Sequence, residues 1–135
     1  MKALQDFLNK EDRFAHFIGA HLVCVEADFA QAELLVEEHH LNGGSVCQGG
    51  VMFTLADLAL AAVLNASGNL TLGVENSITF VRSARLGEKL VAKARLIRDH
   101  KKLPFCTVEI CNEAGDLLAH MSALGYRKEQ MIQID

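Results

Sequence analysis

The chain has 135 residues, half of them hydrophobic and 22% charged, with a formal net charge of −4. That is the length and composition of one globular domain covering 1–135, and the acidic balance excludes a nucleic-acid partner held by bulk electrostatics. With no Trp and one Tyr, a stacking platform for single strands is excluded as well.

The N-terminal segment Leu4–Phe17 places Leu4, Phe7, Leu8, Phe14 and Phe17 at helical intervals, predicting one short helix or two ended by Gly19. It carries acids early and no long apolar core, so it does not read as a secretory signal. His21–Glu26 and Ala30–Glu37 read as strands around a turn at Ala27-Asp28-Phe29. The polar, glycine-rich run EEHHLNGGSVCQGG is a loop by composition. Gly49–Ala66 is a central helix, stopping near Asn65-Ala66-Ser67-Gly68. Beyond it the period changes from helical to alternating. Strands are predicted at Leu70–Val81, Lys89–Arg98, Phe105–Asn112 and Leu117–Arg127, with turns at 83–87, 100–104 and 113–116. Consecutive strands with short turns predict an antiparallel sheet. One long apolar helix within that run makes the economical architecture an α+β domain, a curved sheet wrapped around a buried helix.

The helix is the most informative stretch. It is apolar nearly all round, so it belongs inside, and a carboxylate carried there, Asp57, needs a partner or a use. Its apolar core, Val51–Leu64, is shorter than the ~20 residues of a membrane span and contains Thr54 and Asp57. Gly50, Thr54, Asp57, Ala61 and Asn65 recur at i, i+4, i+7, i+11 and i+15, a small or polar stripe. The stripe is either a seam facing water or the wall of a site. At the start, Gly49 and Gly50 leave backbone N–H groups uncovered at a helix N-terminus, where negative charge is stabilised. Asp57 lies eight positions further on, about 12 Å along the axis. One carboxylate cannot easily serve a carbonyl held at its own helix N-terminus. If both act on one substrate, two copies of the chain must each lend half the site.

The cysteines, Cys24, Cys47, Cys106 and Cys111, form no CxxC pair and no disulfide framework, which fits a reducing cytoplasm. Cys47 sits before the glycines with histidines nearby, but a buried, inert thiol is the plainer reading. His39, His40, Asn42 and Cys47 match no standard zinc spacing, so no metal is expected.

The run from His40 to Asp57, HLNGGSVCQGGVMFTLAD, resembles the signature HxNxxGxxHGGxxFxLAD of hotdog-fold acyl-CoA thioesterases of the phenylacetic-acid-degradation type. Ile78–Leu90 and Gly115-Asp116-Leu117-Leu118-Ala119 are similar to the same family, and the resemblance covers roughly 15–128. It implies a hotdog fold, homodimers that often pair into dimers of dimers, and active sites at the dimer interface. It implies that Gly49 donates its N–H to the thioester carbonyl, that Asp57 of the partner subunit attacks or activates water, and that Asn42 helps hold the carboxylate or the water. Gln48, Gly50, Thr54, Thr71, Gly73, Arg82 and Arg85 are the candidate substrate-binding residues, the two arginines as cations for the phosphates of coenzyme A. Lys101, Lys102 and Arg127 are further candidates for contacts to the phosphates of coenzyme A, which enters as part of the substrate; no separate cofactor is implied.

Three positions depart from the family pattern. Gln48 replaces the histidine before the two glycines and can hydrogen-bond but not titrate. Ser45 replaces a glycine. A strand position that often carries Ser or Thr falls at Gly73, with Thr71 two residues away. The leading expectation is acyl-CoA hydrolysis. A hotdog protein that binds acyl-CoA without hydrolysing it is the alternative, favoured by Gln48. A hotdog hydratase is disfavoured, because those pair their Asp with a His five residues on, where this chain has Ala62.

Overall fold

The computed structural model describes residues 1–134. Two short helices open it, α1 (Lys2–Glu11) and α2 (Arg13–Ile18). The Asp12 carboxylate caps α2 by accepting from the Ala15 N–H at 3.1 Å, and Gly19 ends it in the left-handed conformation. Strands β1 (His21–Val25) and β2 (Phe29–Leu35) follow, then a 3₁₀ turn at Glu38–His40. The long helix α3 (Gly49–Asn65) comes next, then β3 (Asn69–Phe80), β4 (Lys89–Arg98), β5 (Phe105–Asn112) and β6 (Leu117–Met131).

The six strands form one antiparallel sheet in the order β1-β2-β4-β5-β6-β3. This is the hotdog arrangement that the resemblance implies. Its inner face alternates as a half-buried sheet must: Ala30, Ala32 and Leu34 on β2, Leu90, Ala92 and Ala94 on β4, Val108 and Ile110 on β5, Met121 and Ala123 on β6, all buried. Against them α3 buries Leu55, Leu58, Leu60, Val63 and Leu64, together with Ala56, Ala59 and Ala62. Alanines on both surfaces let the helix lie close in the curve of the sheet. Each fully buried Leu or Val contributes about 1.5–3 kcal/mol, so this seam is the main source of stability.

Three features differ from the sequence expectation. The 83–87 turn does not close a hairpin. β3 and β4 are not neighbours, because β3 crosses to the far edge and pairs with β6. β6 runs on to Met131, since β3 is long enough to pair it that far: Asn69 stands opposite Met131. The 36–48 loop is more ordered than its composition suggests. His40 is buried and bonds both ways, Nδ1 accepting from the Glu37 N–H at 2.9 Å and Nε2 donating to the Ile18 carbonyl at 2.7 Å. That neutral imidazole ties the end of α2 to the segment leading into α3.

Candidate active site

Helix α3 starts where the loop turns back through an isolated bridge between Leu41 and Cys47. Gln48 stands at the N-cap position; its amide donates to the His40 carbonyl at 2.8 Å, and its side chain makes no capping bond. The first helical N–H groups, those of Gly49 and Gly50, therefore have no intrahelical acceptor. The Phe80 ring lies over Gly49, and the Gln48 side chain folds across Gly50.

A cavity of about 290 Å³ opens at this helix end, lined by Asn42, Cys47, Gly49, Met52, Phe80 and Arg82 among others. It brings together three predicted site residues, Asn42, Gly49 and Arg82. A second cavity of about 340 Å³ lies beside it, lined by Gln48, Gly50 and Thr54 with Phe14, Ile18 and Val51. A wider concavity of about 570 Å³ on the outer face of the sheet holds none of the motif residues; Lys89, Lys93, Arg95 and Glu109 line it.

Several polar groups are committed locally. Asn42 Oδ1 accepts from the Gly44 and Val46 N–H groups at 2.8 and 3.3 Å, so this oxygen shapes the loop and leaves the Nδ2 group for other work. Thr54 Oγ1 donates to the Gly50 carbonyl one turn back at 2.8 Å. Arg82 pairs with Asp116 at 2.8 Å, and Asp116 in turn is held by Asn112. The Cys47 thiol is buried, which pushes its pKa up to about 11; it stays protonated and is no nucleophile.

Asp57 lies on the exposed stripe of α3. Solvent reaches the residue in the single chain, yet the protein around its carboxylate desolvates it enough to raise its pKa. The Asp12 carboxylate adds to that rise, and a hydrogen bond from Asn76 opposes it. Asn76 Nδ2 donates to Asp57 Oδ1 at 3.5 Å.

Asn76 is the residue that sequence reasoning missed. β3 carries a bulge where its register against β6 shifts between Gly73 and Glu75. Before the bulge the inward positions are Thr71 and Gly73, opposite Arg127 and Gly125; after it they are Asn76, Ile78 and Phe80, opposite the buried Ala123, Met121 and Ala119. One extra residue reverses the parity of the strand. An asparagine on an otherwise apolar inward face was the available signal, hidden by that reversal.

Other predicted residues are placed elsewhere. Thr71 is buried at the far end of α3, its N–H donating to Asn65 Oδ1 at 2.9 Å and its hydroxyl to the Asn69 carbonyl at 3.0 Å. It stands with Asn65 and not with Asp57, eight residues back along the helix. Gly73 lies near Leu60 and Asn76. Lys101, Lys102 and Arg127 line a cavity with Asn69, beyond the same far end, so within one chain they are a helix length from Gly49. Arg127 is also engaged by Asp99 at 2.8 Å. Arg85 lines neither cavity at the start of α3; its main-chain N–H bonds the Glu88 carboxylate. Among the described residues no group of three or more metal-ligating side chains is assembled, and no helix is long and apolar enough to cross a membrane.

The thioesterase superfamily model matches residues 44–119, a span that runs from the loop before α3 into β6. The chain belongs to the thioesterase superfamily. A relative from Archaeoglobus fulgidus named as an esterase is 35% identical over 127 residues, covering 94% of this chain and 82% of its own. Human acyl-coenzyme A thioesterase 13 is 34% identical over 99 residues, covering 69% and 71%. The Escherichia coli acyl-coenzyme A thioesterase PaaI is 28% identical over 118 residues, covering 87% and 84%. The solved structure of PaaI, from the phenylacetic acid degradation operon, superposes with a TM-score of 0.91 at 25% identity over 98% of both chains. The chain is an enzyme of the thioesterase class with the hotdog fold.

Proposed function

We propose that this protein hydrolyses an acyl-CoA thioester to the free acid and coenzyme A, at a site completed by two copies of the chain. The carrying observation is that Gly49 and Asp57 lie on one helix, eight residues apart, the first beside a cavity and the second on the exposed stripe beside β3. β3 is a twelve-residue strand at the edge of the sheet with Leu72 and Val74 exposed. An open edge of that length invites pairing with an identical edge. Antiparallel pairing of two β3 strands about a two-fold axis sets the two α3 helices side by side, each Asp57 toward the other's glycines. Such dimers then associate in pairs.

In this reading the Gly49 N–H takes the negative charge that develops on the thioester oxygen, a preorganised donor worth about 3–4 kcal/mol. Helix polarity acts in the same direction. Asp57 of the partner subunit either attacks the carbonyl carbon, giving a mixed anhydride that water then opens, or takes the proton of an attacking water. Either route expels the thiolate, which leaves with a proton as free coenzyme A. The Asn42 Nδ2 group holds the carboxylate or the water. Arg82, steadied by its ion pair with Asp116, meets a phosphate of coenzyme A in this reading. Four free cysteines, at 24, 47, 106 and 111, support a cytoplasmic setting.

The test is a panel of acyl-CoAs assayed for thiol release with wild type and Asp57→Ala. Turnover by the wild type and a loss of orders of magnitude in Asp57→Ala are expected. Near-full activity in the variant would overturn the assignment. The second reading, a binder that does not hydrolyse, is favoured by Gln48, which cannot titrate and makes no capping bond. It predicts saturable acyl-CoA binding with no thiol release.

A further inference from the structure

Asn76 makes one polar contact with α3 and lacks another. Its Nδ2 donates to Asp57 Oδ1, while its own Oδ1 is buried with no hydrogen-bond partner among the described residues. A buried, unpaired carbonyl is a standing cost that an apolar side chain of the same shape would not carry. The surroundings explain how the carboxamide fits. A β-carbon on residue 73 would lie 3.6 Å from Asn76 Oδ1, 3.8 Å from its Nδ2 and 3.5 Å from Leu60 Cδ2, ordinary contact distances, so residue 73 borders the amide without crowding it. The bulge between Gly73 and Glu75 turns residue 76 inward.

We propose that Asn76 is a positioning residue for Asp57, turned inward by the bulge so that its carboxamide reaches the carboxylate. The proposal rests on the reading of Asp57 as the reacting acid. Donation to Oδ1 fixes that oxygen and leaves Oδ2 for the thioester or its water. At 3.5 Å the bond is long, as catalytic contacts often are before substrate tightens them. Burial raises the Asp57 pKa, the Asp12 carboxylate from the α1–α2 junction adds to the rise, and the hydrogen bond from the neutral Asn76 opposes both. Glu75 of β3 stands on the outer face, opposite Leu124.

The experiment follows thiol release from the best acyl-CoA of the panel, with melting temperatures, for Asn76→Ala, Asn76→Leu, Gly73→Ser with Asn76→Ala, and Asp57→Ala. Asn76→Ala and Asn76→Leu are expected to lower kcat about 10-fold or more with KM little changed. The acid limb of the kcat profile moves to higher pH, because the bond that favours the carboxylate is gone. Asn76→Leu, free of the unpaired oxygen, melts no lower than wild type; it carries the test if Asn76→Ala does not fold. Adding Gly73→Ser to Asn76→Ala puts a hydroxyl into the vacated space and returns the limb toward wild type. Wild-type kcat and pH profile in both single variants, with Asp57→Ala inactive, would overturn the proposal alone. A fall in kcat that tracks a lower melting temperature with an unmoved limb would also overturn it, as a purely structural effect. Full activity in Asp57→Ala would overturn the underlying reading and this proposal together.

Discussion

The Phe80 ring sits so close over Gly49 that a β-carbon on residue 49 would come within 3.0 Å of its Cζ atom. Any side chain there would have to push the ring back by a few tenths of an ångström, quite apart from backbone freedom. Gly49→Ala keeps the N–H donor but pushes the ring away. It is expected to lower kcat/KM about 10-fold, equivalent to about 1.4 kcal/mol. Adding Phe80→Leu should recover most of that loss in the same thiol-release assay. A neutral Gly49→Ala would show that the ring yields freely.

Asp57 gives a pH signature. Its raised pKa means that activity requiring the carboxylate is lost as pH falls through a value above the ordinary range for Asp. Stability runs the opposite way. The folded state holds this proton more tightly than the unfolded chain, so the ionised group costs stability above the folded pKa, and that cost disappears below the unfolded value of ~3.9. Asp57→Asn is therefore expected to be inactive yet to melt above wild type at pH 8. The gap should close as the solution is acidified, which thermal melts across pH would record.

Asn65 holds the far end of α3 to β3. Its side chain donates to the carbonyls of Ala61 and Thr71 and accepts from the Thr71 N–H, the two bonds to Thr71 being buried. Asn65→Ala leaves the Thr71 backbone unpaired and is expected to cost about 2–3 kcal/mol. Turnover per folded molecule should be unchanged, because this end of the helix carries none of the proposed reacting groups. Denaturant unfolding and active-site-normalised rates measure the two effects separately.

Ser45 is the one non-glycine residue among the described residues with a left-handed backbone, at φ 61°. It occupies the place where the family signature has glycine. Ser45→Gly removes the clash between a β-carbon and the backbone and is expected to raise stability by about 1 kcal/mol. The denaturation midpoint should rise with an unchanged slope.

Much of the architecture was legible from residue periods. Lys89–Arg98 and Phe105–Asn112 are strands with the bounds their alternation predicts, and α3 begins at Gly49 as its glycines suggest. The stripe through Gly50, Thr54 and Asp57 is the less buried side of α3, although its last member, Asn65, is buried. These are local properties: which side a residue turns to is set by the 3.6 or two-residue repeat of its own segment.

What tertiary structure decided is where those segments meet. Short turns suggested that neighbours in sequence would pair, but β3 crosses to the edge beside β6, where it covers one side of α3. The bulge at Gly73–Glu75 exchanged the two faces of β3, carrying Asn76 to Asp57 and Phe80 over Gly49 while Thr71 stayed with Asn65. A bulge arises from the fit between two strands and a helix that are far apart along the chain. The sequence alone therefore singled out Asp57 and the glycines as candidates, and only packing chose their companions.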